Sequence, residues 1–335
     1  MKPKIIIWGF PLDTHTHSYI HAAWYKTFKF LGYDTYWFHD GNYPENFDYK
    51  NCLFISEEYA AERIPLEKTS TYFIHNAIKP SKYLDIGARL IDIRFNVYNI
   101  NDVNYKLVVD KSKLVEIDKA TYYNPNADDS VLADQWEKGI SGYEAIHLTW
   151  ATDLLPHEFN FDDRFIQRHS EYYHVGSILG SNIKEMQKVV SALHSLNIPF
   201  AHIDPWRTPV SFEDGKKYMQ VSKLSLDVRG TELKEVVNGK PGNGGDHKNI
   251  GYIPCRTFKA ISYGRVTGTN SKAVKEFFGD YVNYNDDEYQ LVYDMNEAEK
   301  KDNNELILES MNWVKENHTY INRVQSLMKV FNKEI

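Results

Sequence analysis

Short apolar runs alternate with amphipathic stretches along most of this chain, each run closing on polar or turn residues, and that rhythm fits a parallel-sheet α/β architecture. Residues 4–9 read as a first strand and 18–31 as a helix closed by Gly32. Further strands are expected over 35–38, 52–55 and 72–75. Alternating Ile, Val and Tyr make 90–116 strand-rich, the Asn, Pro and Asp content of 122–130 marks a loop, and 145–150 is the last strand of this half. The pattern then restarts. Strands are expected over 172–178, 199–203, 224–228 and 265–269, with helices over 182–196, where Met186, Val189, Val190 and Leu193 recur at helical spacing, and over 211–221. A helical tail begins at Asp287 and includes 305–315 and 318–331.

A chain of 335 residues is too long for one modest core. The restart predicts two Rossmann-like domains, 1–165 and 166–304, followed by helices over 305–335. No run of about 18 apolar residues is present to span a bilayer. The opening apolar run reads as a strand rather than a leader, and Cys52 and Cys255 form no C-x-x-C pair, so a reducing cytoplasm is the expected setting. A formal charge of −7 argues against a duplex nucleic-acid partner while leaving room for a local basic site for a nucleoside diphosphate.

Such a site is legible in residues 250–271. Pro254 suits a helix entrance, Arg256 and Thr257 fall in the first turn, and Gly264 ends a helix whose inward face is Phe258, Ile261 and Ser262. Unpaired N–H groups and the positive end of the helix dipole then face an anion, and Arg256 can fork two phosphate oxygens. From Pro254 through Phe258 and Ala260 to Thr269 and Asn270, the stretch resembles the donor-phosphate segment of GT-B glycosyltransferases, except that Lys259 stands where their Glu is common. The resemblance implies a GT-B fold, two Rossmann-like domains facing a cleft with C-terminal helices crossing back to the first. It also implies transfer of a hexosyl or deoxyhexosyl group from a nucleotide-diphosphate sugar to a hydroxyl acceptor such as a glycan, without metal or other cofactor. Pro254, Arg256, Thr257 and Lys259 are its expected donor-binding residues. By position at strand ends, Gly176, Ser177, Asp204, Arg207 and Arg229 are candidates for the same role. Lys259 in place of Glu favours an inverting reaction.

The second chemical feature is Asp13-x-His15-x-His17, with His21 four residues on, between the first strand and the first helix. The carboxyl end of a first parallel strand is where ligands bind, so His17, His15 or Asp13 can serve as general base toward the acceptor. His17 is the expected base, Ser18 the expected N-cap, and the helix terminus is expected to lower the His17 pKa. His21 reads as a helix residue of the core. The same string also resembles the metal-binding opening of amidohydrolase and PHP-type phosphoesterase barrels, with His75, His147 and His202 near strand ends, so a metal-dependent hydrolase is the alternative. A non-enzymatic sugar-binding protein of GT-B shape is a third reading.

Overall fold

The computed structural model describes residues 2–77, 79–94, 114–116, 144–178, 182–231, 236–237, 240–241, 247–248 and 251–332. The loop expected over 122–130 and most of the glycine-rich segment 238–249 lie outside the described residues. By compactness the chain divides into unit 1, Met1–Thr149 with Tyr320–Ile335, and unit 2, Trp150–Thr319.

Unit 1 is built on a seven-stranded sheet comprising β1 (Lys4–Trp8), β2 (Thr35–Phe38), β3 (Cys52–Glu57), β4 (Thr71–His75), β5 (Arg89–Arg94), β6 (Leu114–Glu116) and β7 (Glu144–His147). The order is β2-β1-β3-β4-β5-β7-β6, and every pairing is parallel. β3 and β4 are buried along their whole length, which is why their sequences read as near-continuous apolar runs rather than alternating ones. From β1 the chain goes to β2 on one side, then returns to place β3 on the other. The switch point of the sheet therefore lies between β1 and β3, where open α/β sheets carry ligands. Among the described residues β2 and β6 are the edges of this sheet, and no described pairing closes it into the barrel that the hydrolase alternative resembles.

Helix α1 (Ser18–Phe30) buries Ile20, Ala23, Trp24 and Phe28, while the short α2 (Ser81–Leu84) places the fully buried Tyr83 against Tyr72 of β4. The terminal helix of the chain also packs on α1 and belongs to unit 1, with Tyr320 edge-on to Trp24 at 4.8 Å between ring centroids. Arg323 is buried and donates to the Thr149 carbonyl at 2.9 Å, and Arg89 donates to the carbonyls of Val330 and Phe331 at the far end of the helix. A cation there satisfies carbonyls that the helix leaves open and favours the negative end of its dipole.

Unit 2 pairs β8 (Tyr172–Val175) with β9 (Phe200–Ile203) in parallel, and β10 (Leu226–Asp227) with later strands described below. Between them run α3 (Ile183–Ser195) and α4 (Phe212–Val221), the latter capped by the Ser211 hydroxyl, which accepts from the Asp214 N–H at 3.0 Å. A two-residue ladder, β11 (Val236–Val237) with β12 (Lys240–Pro241), precedes α5 (Cys255–Ser262). β13 (Thr267–Thr269), α6 (Lys272–Phe278), β14 (Val282–Tyr284), α7 (Glu288–Ala298), α8 (Asn304–Asn317) and, in unit 1, α9 (Tyr320–Asn332) complete the order. The sheet β10-β13-β14 is parallel throughout. Neither α6 nor β14 was expected from the sequence, because seven and three residues are too few to establish a period.

The compact units divide at Thr149, earlier than the expected change near residue 165, and α8 stays with unit 2. Side-chain bonds give the reason. The Thr152 and Ser262 hydroxyls meet at 2.7 Å, Tyr263 donates to Asp153 at 2.6 Å, and Gln220 donates to Asp163 at 2.7 Å.

Candidate functional site

The first cluster forms at the switch point of unit 1. β1 ends at Trp8, and Gly9 follows with its Cα against the His21 imidazole, where a Cβ would overlap the ring. His21 Nδ1 accepts from the Phe10 N–H at 3.0 Å, which leaves the proton on Nε2, 3.3 Å from Glu57 Oε1. Glu57 is the last residue of β3 and is 3% exposed. His17 Nδ1 lies 2.8 Å from Glu57 Oε2, while the His17 side chain keeps 32% of its surface exposed. A carboxylate that fixes one imidazole nitrogen turns the other into an oriented proton acceptor, which is the working arrangement of a general base.

This carboxylate reverses the expected effect on His17. Burial pulls the His17 pKa down, but the charge of Glu57 and its hydrogen bond push it up by more, and the net shift is upward from 6.5. Burial likewise opposes ionisation of Glu57, and the two imidazoles overcome it, so the carboxyl titrates well below its usual range. His15 behaves differently. Its Nδ1 accepts from the His17 N–H at 3.0 Å and its ring stacks on Phe10 at 3.9 Å, while burial first and the neighbouring His17 charge second press its pKa to about 4. Asp13 sits at a φ of 63° with Oδ1 buried and without a hydrogen-bond partner among the described residues. Ser18 is not the cap that the sequence implied. His17 occupies that position, and the Ser18 hydroxyl instead donates to the His15 carbonyl at 2.6 Å, tightening the turn that carries the base.

The second cluster lies in unit 2 at the carboxyl end of β8. Pro254 is the N-cap of α5 in an extended conformation, with φ −82° and ψ 148°, and no side chain caps the helix. Arg256 and Thr257 occupy its first turn as expected, and Phe258, Ile261 and Ser262 are fully buried. The Thr257 hydroxyl is buried and has no hydrogen-bond partner among the described residues. The Arg256 guanidinium reaches across to Gly176, whose φ of 140° suits glycine and whose missing Cβ leaves room for Nη2. Its Nη1 lies 3.2 Å from His174 Nδ1. Among the described residues no carboxylate pairs with Arg256.

Other expected donor residues are engaged within the protein. Arg229 pairs through two nitrogens with Asp227 and lies 4.9 Å over the Tyr252 ring. Lys259 pairs with Asp153 at 2.7 Å. Asp204 accepts from Ser177 Oγ at 3.3 Å and from the Trp206 N–H at 3.0 Å, tying the loop after β8 to the loop after β9. Arg207, with its side chain 85% exposed, extends from that second loop. Glu57 and His174 were not singled out in the sequence. The available signal for Glu57 was an acidic residue two positions past the apolar run 52–55.

Of the strand-end histidines that the hydrolase alternative would need, His75 is buried on β4, and His202 lies in unit 2 with Nε2 2.7 Å from the Gly176 carbonyl oxygen. Among the described residues no group of three or more His, Cys, Asp or Glu side chains is arranged to hold a metal ion. Nor is any described helix long and apolar enough to cross a membrane.

No known sequence family matches this chain, and no curated protein does. Among solved structures it is similar to AviGT4, a glycosyltransferase involved in avilamycin A biosynthesis, over 97% of this chain and 98% of that one, with a TM-score of 0.46 and 9% identity. At that level of likeness the chemistry must be read from the residues themselves.

Proposed function

We propose that the protein is a glycosyltransferase that moves a sugar from a nucleotide-diphosphate donor to a hydroxyl acceptor. The observation that carries this reading is Arg256, a guanidinium at an uncapped helix start, seated on a bare glycine and paired with no carboxylate among the described residues. That combination fits a diphosphate, which supplies the two charged oxygens a guanidinium fork accepts. In the reaction His17 Nε2 takes the proton of the acceptor hydroxyl as its oxygen attacks the anomeric carbon. The bond to the diphosphate breaks, and the departing charge is stabilised by Arg256 and the amides of α5. Cationic and dipolar groups thus do the work that a metal does in other transferases, and a base of this kind supports direct displacement with inversion. Hexosyl or deoxyhexosyl donors, a glycan acceptor and a cytoplasmic setting belong to the same proposal.

The test is a thermal-shift screen against UDP, GDP, ADP, CMP and dTDP sugars. A ligand at 100 times its dissociation constant is expected to stabilise the fold by about 2.7 kcal/mol. Activity is expected to persist in excess chelator. A chain that no nucleotide stabilises, or whose activity is lost to chelator and restored by zinc or manganese, would overturn the proposal in favour of metal-dependent hydrolysis.

Glu57 gives a pH prediction. His17 must be unprotonated to act, so kcat/KM should rise with pH through its pKa, which Glu57 holds above 6.5. Glu57→Gln removes the charge and is expected to move that limb to lower pH while reducing the plateau. A pH–rate profile with an unmoved limb would detach Glu57 from the base.

A further inference from the structure

Unit 2 holds a buried histidine that the chemistry above leaves unused. His174 is 2% exposed on β8, with Arg256 Nη1 3.2 Å from Nδ1 and 3.5 Å from Nε2, and with the Tyr172 hydroxyl 3.1 Å from Nδ1. His174 lies on β8 and Gly176 directly beyond its carboxyl end, and each meets a different nitrogen of the guanidinium. The ring contacts Nη1, and the glycine makes room for Nη2. A buried imidazole beside a guanidinium is tolerated in its neutral form. Burial first, then the charges of Arg256, His202 on β9 and Arg229 beyond β10, keep the His174 pKa well below the ordinary value.

We propose that His174 is a positioning residue for Arg256: its ring, with Gly176, fixes the guanidinium in the orientation that receives the donor diphosphate. This rests on the reading of Arg256 as the anion clamp. An arginine already seated loses less conformational freedom on binding than one sampling several rotamers, so the gain appears in affinity for the diphosphate.

The experiment is calorimetric titration with whichever of UDP, GDP, ADP or dTDP binds the wild-type protein most tightly, on four variants with melting curves as the folding control. His174→Leu, similar in size but apolar, is expected to raise the dissociation constant about tenfold through lost preorganisation. His174→Gln returns a polar partner and is expected to bring it back within about threefold of wild type. In the Arg256→Ala background His174→Leu is expected to add less than about twofold, because the group it positions is gone. A folded His174→Leu that binds like wild type, a His174→Gln no better than His174→Leu, or full additivity with Arg256→Ala would overturn the proposal. Should His174→Leu fail to fold, His174→Met and His174→Asn carry the same apolar-against-polar comparison. These failures concern His174 alone when Arg256→Ala weakens binding; unchanged affinity in Arg256→Ala removes the anion clamp itself, and this proposal with it.

Discussion

Replacing His17 with alanine is expected to lower the transfer rate by about 100- to 10,000-fold, the range that a positioned general base contributes. The geometry makes the loss specific. Glu57 holds His17 Nδ1 at 2.8 Å, and His17 keeps an exposed edge, whereas the His21 side chain that faces the same carboxylate is buried. His15 has its Nδ1 occupied by the His17 N–H, and His21 is buried, with one nitrogen accepting from Phe10 and the other directed to Glu57. Donor affinity should change little, because the proposed diphosphate contacts come from unit 2 residues. His21→Ala should act differently, stripping the Phe10 N–H of its acceptor and costing about 1 to 3 kcal/mol of stability. Steady-state kinetics and melting curves on both variants separate the roles. Near-normal turnover in His17→Ala would transfer the base to Asp13 or His15, and lost donor binding would mean that the loop after β1 holds phosphate.

Arg256→Ala is expected to weaken nucleoside diphosphate binding by roughly 30- to 1,000-fold, equivalent to about 2 to 4 kcal/mol for a charge-assisted pair. The variant should stay folded, since Arg256 forms no ion pair with a described carboxylate and the buried face of α5 is carried by Phe258, Ala260 and Ile261. Arg229 offers a contrast within the same unit. Its guanidinium is already neutralised by Asp227, so Arg229→Ala should exact its cost mainly in stability. Calorimetry showing unchanged affinity in folded Arg256→Ala would remove the central support for a diphosphate site.

The α/β class with parallel sheets was legible because buried parallel strands have to be apolar along their length and their covering helices have to be amphipathic, and both patterns are local. Local signals also placed α5, since Pro254 at its entrance, Arg256 in its first turn and the apolar spacing behind it all fall within ten residues. The Asp13 to His21 string was legible as a cluster of titratable side chains for the same reason. Glu57 could not be read this way, because it lies 40 positions from His17 and reaches it only when β3 pairs beside β1, aligning Trp8 with Ser56. That pairing also set the sign of the His17 shift, which a helix terminus alone would have driven the other way.

Lys259, Arg229 and Arg256 look alike as cations on a sequence. The fold pairs Lys259 with Asp153, more than 100 residues earlier, and Arg229 with Asp227, while it sets Arg256 against His174 and Gly176. The sequence by itself determined the longer strands and helices, though not the short α6 and β14, and where the reactive side chains cluster along the chain, because those depend on neighbours along it. Which charges are neutralised and which stay available was decided only by tertiary structure, because an ion pair depends on distances between residues that the chain order keeps far apart.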